Sequence, residues 1–111
     1  MDLFAGVPVT DYAAALPWYE QFFGCHPSFL PTETEAVWEV GEHRFIYIVQ
    51  RPQRAGNAIV LSFVDDLEER VADIARRGIE PAERETYDNG VTKVTYRDAD
   101  GNELSLGGGP G

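Results

Sequence analysis

Few side chains in this 111-residue sequence could do chemistry. His26 stands in a loop beside Pro27, and His43 adjoins a turn signal. Cys25 is the only cysteine, so it can neither close an internal disulfide nor complete a paired-cysteine metal motif; it reads more simply as a small buried residue than as a nucleophile. Glu103 is the best-placed carboxylate. It lies two residues before Ser105 and so on the same face of a strand, where a general base could reach a substrate proton; the alternative is a solvated carboxylate at a strand end. Arg97 and Lys93 read equally as pocket cations or as edge charges.

The elements that would position these groups come in two copies. Val9-Thr10-Asp11-Tyr12, reaching Gly24 and then Pro27, has a counterpart in Val64-Asp65-Asp66-Leu67, reaching Gly78 and then Pro81. The aspartate-to-glycine spacings, thirteen and twelve residues, differ by one, and the ordered series of landmarks points to an internal repeat. Thr10/Asp11 and Asp65/Asp66 carry oxygens that can cap a helix start. Leu67, Val71 and Ile74 recur at helical spacing, with Asp66/Arg70 and Asp73/Arg77 placed as i, i+4 pairs and Gly78 as the left-handed stop. Leu16, Tyr19 and Phe23 form the first helix's stripe; Pro17, tolerable only in a first turn, predicts that this helix begins close to it.

Three strand-like runs follow each helix: 28–30, 36–40 and 43–50, then 83–87, 91–97 and 103–106. Asn89-Gly90 and, more weakly, Gly41-Glu42 read as two-residue hairpin turns. The fold class is therefore α+β, two βαβββ modules in one domain over 1–111. The first module covers 3–50, the linker 51–57, the second module 58–107 and a flexible tail 108–111.

A hairpin closed by Gly41-Glu42 sets Val40 opposite His43 and Trp38 opposite Phe45. One face then carries Trp38, His43, Phe45 and Tyr47 with Ala36, Val40 and Val49, and the other is aliphatic apart from a Glu39/Arg44 pair. The aromatic face reads either as a second core or as a sheet-lined pocket. In the outer strands Phe4, Gly6 and Pro8 share a side, as do Ile59, Leu61 and Phe63.

This repeat, with Pro8-Val9-Thr10-Asp11, Trp18-Tyr19 before Gly24, Val64-Asp65-Asp66-Leu67 and Asp98-Ala99-Asp100-Gly101-Asn102, resembles the vicinal oxygen chelate superfamily of glyoxalases, bleomycin-resistance proteins and extradiol dioxygenases. The resemblance spans residues 3 to 107. It implies curled mixed sheets around a cavity, usually completed in a homodimer. It also implies metal ligands at places that here hold Phe4, Ile59 and Ser105, none of which suits a divalent cation. No metal and no cofactor are therefore expected.

The net charge of −10 disfavours nucleic acid and anionic lipid; it serves solubility or attracts a cationic guest. No apolar run is long enough for a membrane span, and a single cysteine suits a reducing, cytoplasmic setting. The resulting expectation is a metal-independent, homodimeric protein sequestering an aromatic or cationic compound on Phe4, Trp38, His43, Phe45, Tyr47, Ile59, Leu61, Phe63, Tyr96, Glu103 and Ser105. A glyoxalase-like lyase or isomerase is the alternative, and a module whose cavity is plugged by its own aromatics is a third possibility.

Overall fold

In the computed structural model, which describes residues 1–109, strand β1 (Leu3–Val9) leads into helix α1 (Tyr12–Phe23). Asp11 caps α1 by accepting from the Ala14 N–H at 3.3 Å, so the helix starts five residues ahead of Pro17. Pro17 is exposed, as is Ala13, whose carbonyl loses the bond a residue-17 N–H would donate; water can replace that partner. Gly24 ends the helix in the left-handed region at φ 78°. Strands β2 (Phe29–Thr32), β3 (Glu35–Gly41) and β4 (Arg44–Gln50) follow, then a short 3₁₀ turn at Pro52–Arg54 within the linker. The second half repeats the order with β5 (Ile59–Phe63), α2 (Leu67–Arg76), β6 (Glu83–Thr86), β7 (Thr92–Arg97) and β8 (Glu103–Gly108).

Each half forms a four-stranded mixed sheet, ordered β1-β4-β3-β2 and β5-β8-β7-β6. The first and last strands of each module run parallel and the remaining neighbours antiparallel, so the protein is α+β with two βαβββ modules. Strands β1 and β5 are each left with one free edge.

The helix-bearing faces of both sheets meet in one core. Val7, Val9, Ala36, Trp38, Ile46 and Ile48 from the first sheet join Tyr19 and Phe22 of α1, Leu67 and Ile74 of α2, and Val94, Tyr96 and Leu104 of the second sheet. Phe22 bridges the modules, its ring 5.2 Å from that of Tyr96. Each buried Val, Leu, Ile or Phe among them contributes roughly 1.5–3 kcal/mol before entropy is counted.

A polar clasp closes the same junction. The Asn102 side chain accepts from the Gly56 and Ala58 N–H groups and donates to Pro8 O at 2.7 Å and Asp98 Oδ2 at 2.9 Å. Tyr19 donates its hydroxyl to Asp98 Oδ2 at 2.6 Å, and Asp100 accepts from the Thr10 N–H at 3.0 Å. The D-x-D-G-N turn of the second module thus covers the end of the free β1 edge and satisfies groups that no strand partner reaches.

Several local expectations are corrected. The β3–β4 turn is centred on Glu42-His43, with Gly41 opposite Arg44 and a bulge at Val40. Trp38 consequently pairs with Ile46 rather than Phe45, and this one-residue slip moves it to the other face. The β6–β7 turn is bonded from the Gly90 N–H to Tyr87 O, so Asp88-Asn89 are central and Gly90 follows at φ 87°. Asp66 makes no side-chain cap; it holds Arg70 at 2.6 Å, while Asp73 pairs with Arg76 and leaves Arg77 free to reach α1. Gly108 belongs to β8, buried against Leu67 and opposite Thr92, which shortens the expected tail; residues 110 and 111 lie outside the described residues.

Candidate functional site

Because both helix-bearing faces turn inward, the opposite faces of the two sheets turn outward. On the first sheet, adjacent strands bring Phe4 beside Phe45 and Gly6 beside Tyr47, with Val37 and Phe29 continuing the second row. Phe4 and Phe45 stack with ring centroids 4.4 Å apart and planes 8° apart; Tyr47 stands 6.5 Å from Phe4, and Phe29 lies edge-on to Phe45. Phe4 and Phe29 each remain 46% exposed, an unusual amount of aromatic surface for one side of a small sheet.

The equivalent face of the second sheet is divided. Its outer strand carries Ile59, Leu61 and Phe63, exposed by 75%, 49% and 59%. Inward across the sheet lie Glu103, Ser105 and Gly107, then Arg97, Thr95 and Lys93. Ser105 is buried and shares a 3.0 Å hydrogen bond with Thr95. Arg97 lies between two carboxylates, 3.1 Å from Glu83 and 3.6 Å from Glu103.

Between the modules an open cleft of about 870 Å³ follows the free edges of β1 and β5. Leu3, Ala5, Phe22 and Phe23 line it from the helix side, and Phe45, Leu61, Phe63 and Ser105 reach it around the strand edges. Arg44, Asp66, Arg70, Asp73 and Arg77 supply its charged rim.

Of the residues singled out from the sequence, Phe4, Phe45 and Tyr47 come together on one open face, and Ile59, Leu61, Phe63, Glu103 and Ser105 on the other. Trp38 and Tyr96 do not join them. Both are core residues on the helix-bearing sides, Trp38 1% and Tyr96 0% exposed, because the β3 bulge reverses Trp38 and because Tyr96 pairs with Leu104 beneath α1. His43 occupies the exposed β3–β4 turn at φ 61° and hydrogen-bonds Asp2 at 2.6 Å, which ties down the start of β1. The sequence reading missed Phe29. Its alternation with Val37 is visible only once the β2–β3 register is known.

A crystal structure of a glyoxalase/bleomycin resistance protein from Catenulispora acidiphila DSM 44928 matches 99% of this chain and 99% of that chain, at 50% identity and a TM-score of 0.95. The chain belongs to the glyoxalase/bleomycin-resistance family, within the vicinal oxygen chelate superfamily. Two more distant structures share the fold alone. A bleomycin-binding protein complexed with bleomycin is 19% identical over 98% of both chains, with a TM-score of 0.77. A lactoylglutathione lyase from Agrobacterium tumefaciens is 18% identical over 98% of this chain and 93% of that one, also with a TM-score of 0.77. No protein-family model and no curated protein matches the chain.

The metal of the superfamily does not fit this family member's residues. Phe4 and Ile59 offer no lone pair, and the Ser105 hydroxyl is already engaged with Thr95. Among the described residues no three His, Cys, Asp or Glu side chains gather where they could hold a metal ion. Glu103 is partnered by Arg97 and is about a third exposed, which suits charge recognition more than proton abstraction from a substrate in a dry pocket. Among the described residues no helix is long and apolar enough to cross a membrane.

Proposed function

We propose that this protein binds and sequesters a small aromatic or cationic molecule without a metal, acting as a homodimer. The observation that carries this reading is the exposed apolar surface on both outward faces. Phe4, Phe45 and Tyr47 supply aromatic contact area that loses little entropy on binding, and Ile59, Leu61 and Phe63 supply an aliphatic and aromatic edge. Acidic side chains nearby, within a chain of net charge −10, favour a cationic guest. A second copy would cover part of these faces and give the ligand a second wall. Cys25 is exposed rather than buried as its sequence context suggests, and an unpaired surface thiol supports a reducing, cytoplasmic setting.

The test is calorimetry and thermal melting with a panel of aromatic and aliphatic amines, planar and globular. Tryptophan emission is a poor reporter, because Trp18 and Trp38 both pack on the helix side. A bound compound at about 100 times its dissociation constant should add about 2.7 kcal/mol to the stability. No response across the panel would overturn the binding reading, and stoichiometric metal in the purified protein would overturn its metal independence.

A further inference from the structure

Gly6 sits in the middle of β1 and Gly107 near the end of β8, yet neither has the positive φ that requires glycine. What requires glycine there is space. A Cβ on Gly6 would lie 2.7 Å from both Cζ and Oη of Tyr47, and a Cβ on Gly107 would lie 2.7 Å from Cε1 and 3.0 Å from Cδ1 of Phe63. The two pairs are Gly6 with Tyr47 across β1 and β4, and Gly107 with Phe63 across β8 and β5. Glycine and ring have exchanged strands between the modules. In both, the ring reaches over the glycine of the neighbouring strand and occupies the place a Cβ would take.

An aromatic ring laid over a glycine can simply repair a gap in a sheet. That role accounts for the side of the ring turned to the sheet. It does not account for Phe63 remaining 59% exposed, or for Tyr47 sharing its face with the exposed Phe4 and the half-buried Phe45 stacked on it. A ring lying flat presents its π surface outward, and an upright ring presents an edge. The open faces also carry Glu35, Glu39, Glu83, Glu85 and Glu103 against only Lys93 and Arg97.

We infer that Gly6 and Gly107 are specificity-determining residues, which hold Tyr47 and Phe63 flat as stacking platforms and so select planar, conjugated cations over globular ones. This rests on the binding function proposed above and narrows its ligand class. A side chain at either glycine lifts the ring into the space where a flat guest would lie.

The experiment compares proflavine, a planar tricyclic cation, with adamantylammonium, a globular cation, by calorimetry on the wild type, Gly6→Ala, Gly107→Ala, Tyr47→Leu and Phe63→Leu. Proflavine should bind the wild type at least about tenfold tighter than adamantylammonium, a difference of one decade in Kd. Both alanine variants and both leucine variants should lose about tenfold or more for proflavine and distinctly less for adamantylammonium, so that the wild type's preference for the planar cation shrinks. The leucine variants remove the ring without a steric overlap, so they decide the matter if an alanine variant fails to fold. Equal affinity for the two cations, preference for the globular one, or undiminished proflavine binding in folded variants would overturn the platform role and leave the binding function standing. If neither cation binds, the other panel compounds decide: globular binders alone overturn the platforms, and silence throughout removes the binding function on which they rest.

Discussion

Two buried tyrosines show how context decides what a hydroxyl contributes. Tyr19 donates to Asp98 inside the module junction, whereas the Tyr96 hydroxyl is buried with no partner. Removing the first should leave Asp98 with a lone pair unmet and cost about 1–3 kcal/mol; removing the second relieves an unsatisfied group and should be neutral or stabilising by up to about 1 kcal/mol. Urea denaturation of Tyr19→Phe and Tyr96→Phe checks the contrast. Burial, joined for Tyr19 by the Asp98 hydrogen bond, pushes both phenols above the ordinary tyrosine range. A raised folded-state pKa means that the stability is fully present below about pH 10 and falls as the pH rises beyond it, since the unfolded chain releases those protons first. Tyr19→Phe should flatten that alkaline decline; an unchanged slope between pH 9 and 11 would refute it.

The α1–α2 contact illustrates how one residue can redirect an element. Spacing on α2 suggests an Asp73/Arg77 pair, but Arg77 instead extends to α1, donating to Gln21 O and, at 2.8 Å, to Phe22 O, while Gln21 donates back to Arg77 O. These carbonyls belong to the last turn of α1, where no intrahelical donor is available, and a cation there also suits the helix dipole. Arg77→Met is therefore expected to cost about 1–3 kcal/mol and to speed amide exchange in α1. Arg70→Ala, which breaks only an exposed pair with Asp66, should cost less than about 1 kcal/mol. Equal effects would show that Arg77 acts as an ordinary surface charge.

For the whole molecule, the shared core turns the two exposed apolar faces away from each other. Light scattering should accordingly report a mass of two chains for the proposed homodimer. Phe63→Glu, which places a charge on the outer strand of the second sheet, should weaken that dimer by more than about tenfold without unfolding the chain. A monomeric wild type at micromolar concentration would refute the assembly while leaving both sheets as described.

What the amino-acid order determined by itself is the repeat. Asp11 and Gly24 bound the first helix, Leu67, Val71 and Ile74 set the inner side of the second, and period-two alternation groups Ile59, Leu61 and Phe63, because caps, helical stripes and pleats are all local. That Phe4, Ile59 and Ser105 stand at the superfamily's metal-ligand places came from the resemblance to the vicinal oxygen chelate superfamily, not from spacing within this chain. Face assignment in the β3–β4 hairpin was not local. A single bulge at Val40 moved Trp38 from the predicted binding face into the core, and nothing in the alternation marks where a ladder slips. Tertiary structure alone decided that Arg77 caps α1, that Phe29 joins the aromatic face, and that Tyr47 and Phe63 reach over glycines on neighbouring strands. Each of those depends on which residue stands across a strand or helix boundary, a distance in space that spacing along the chain does not encode.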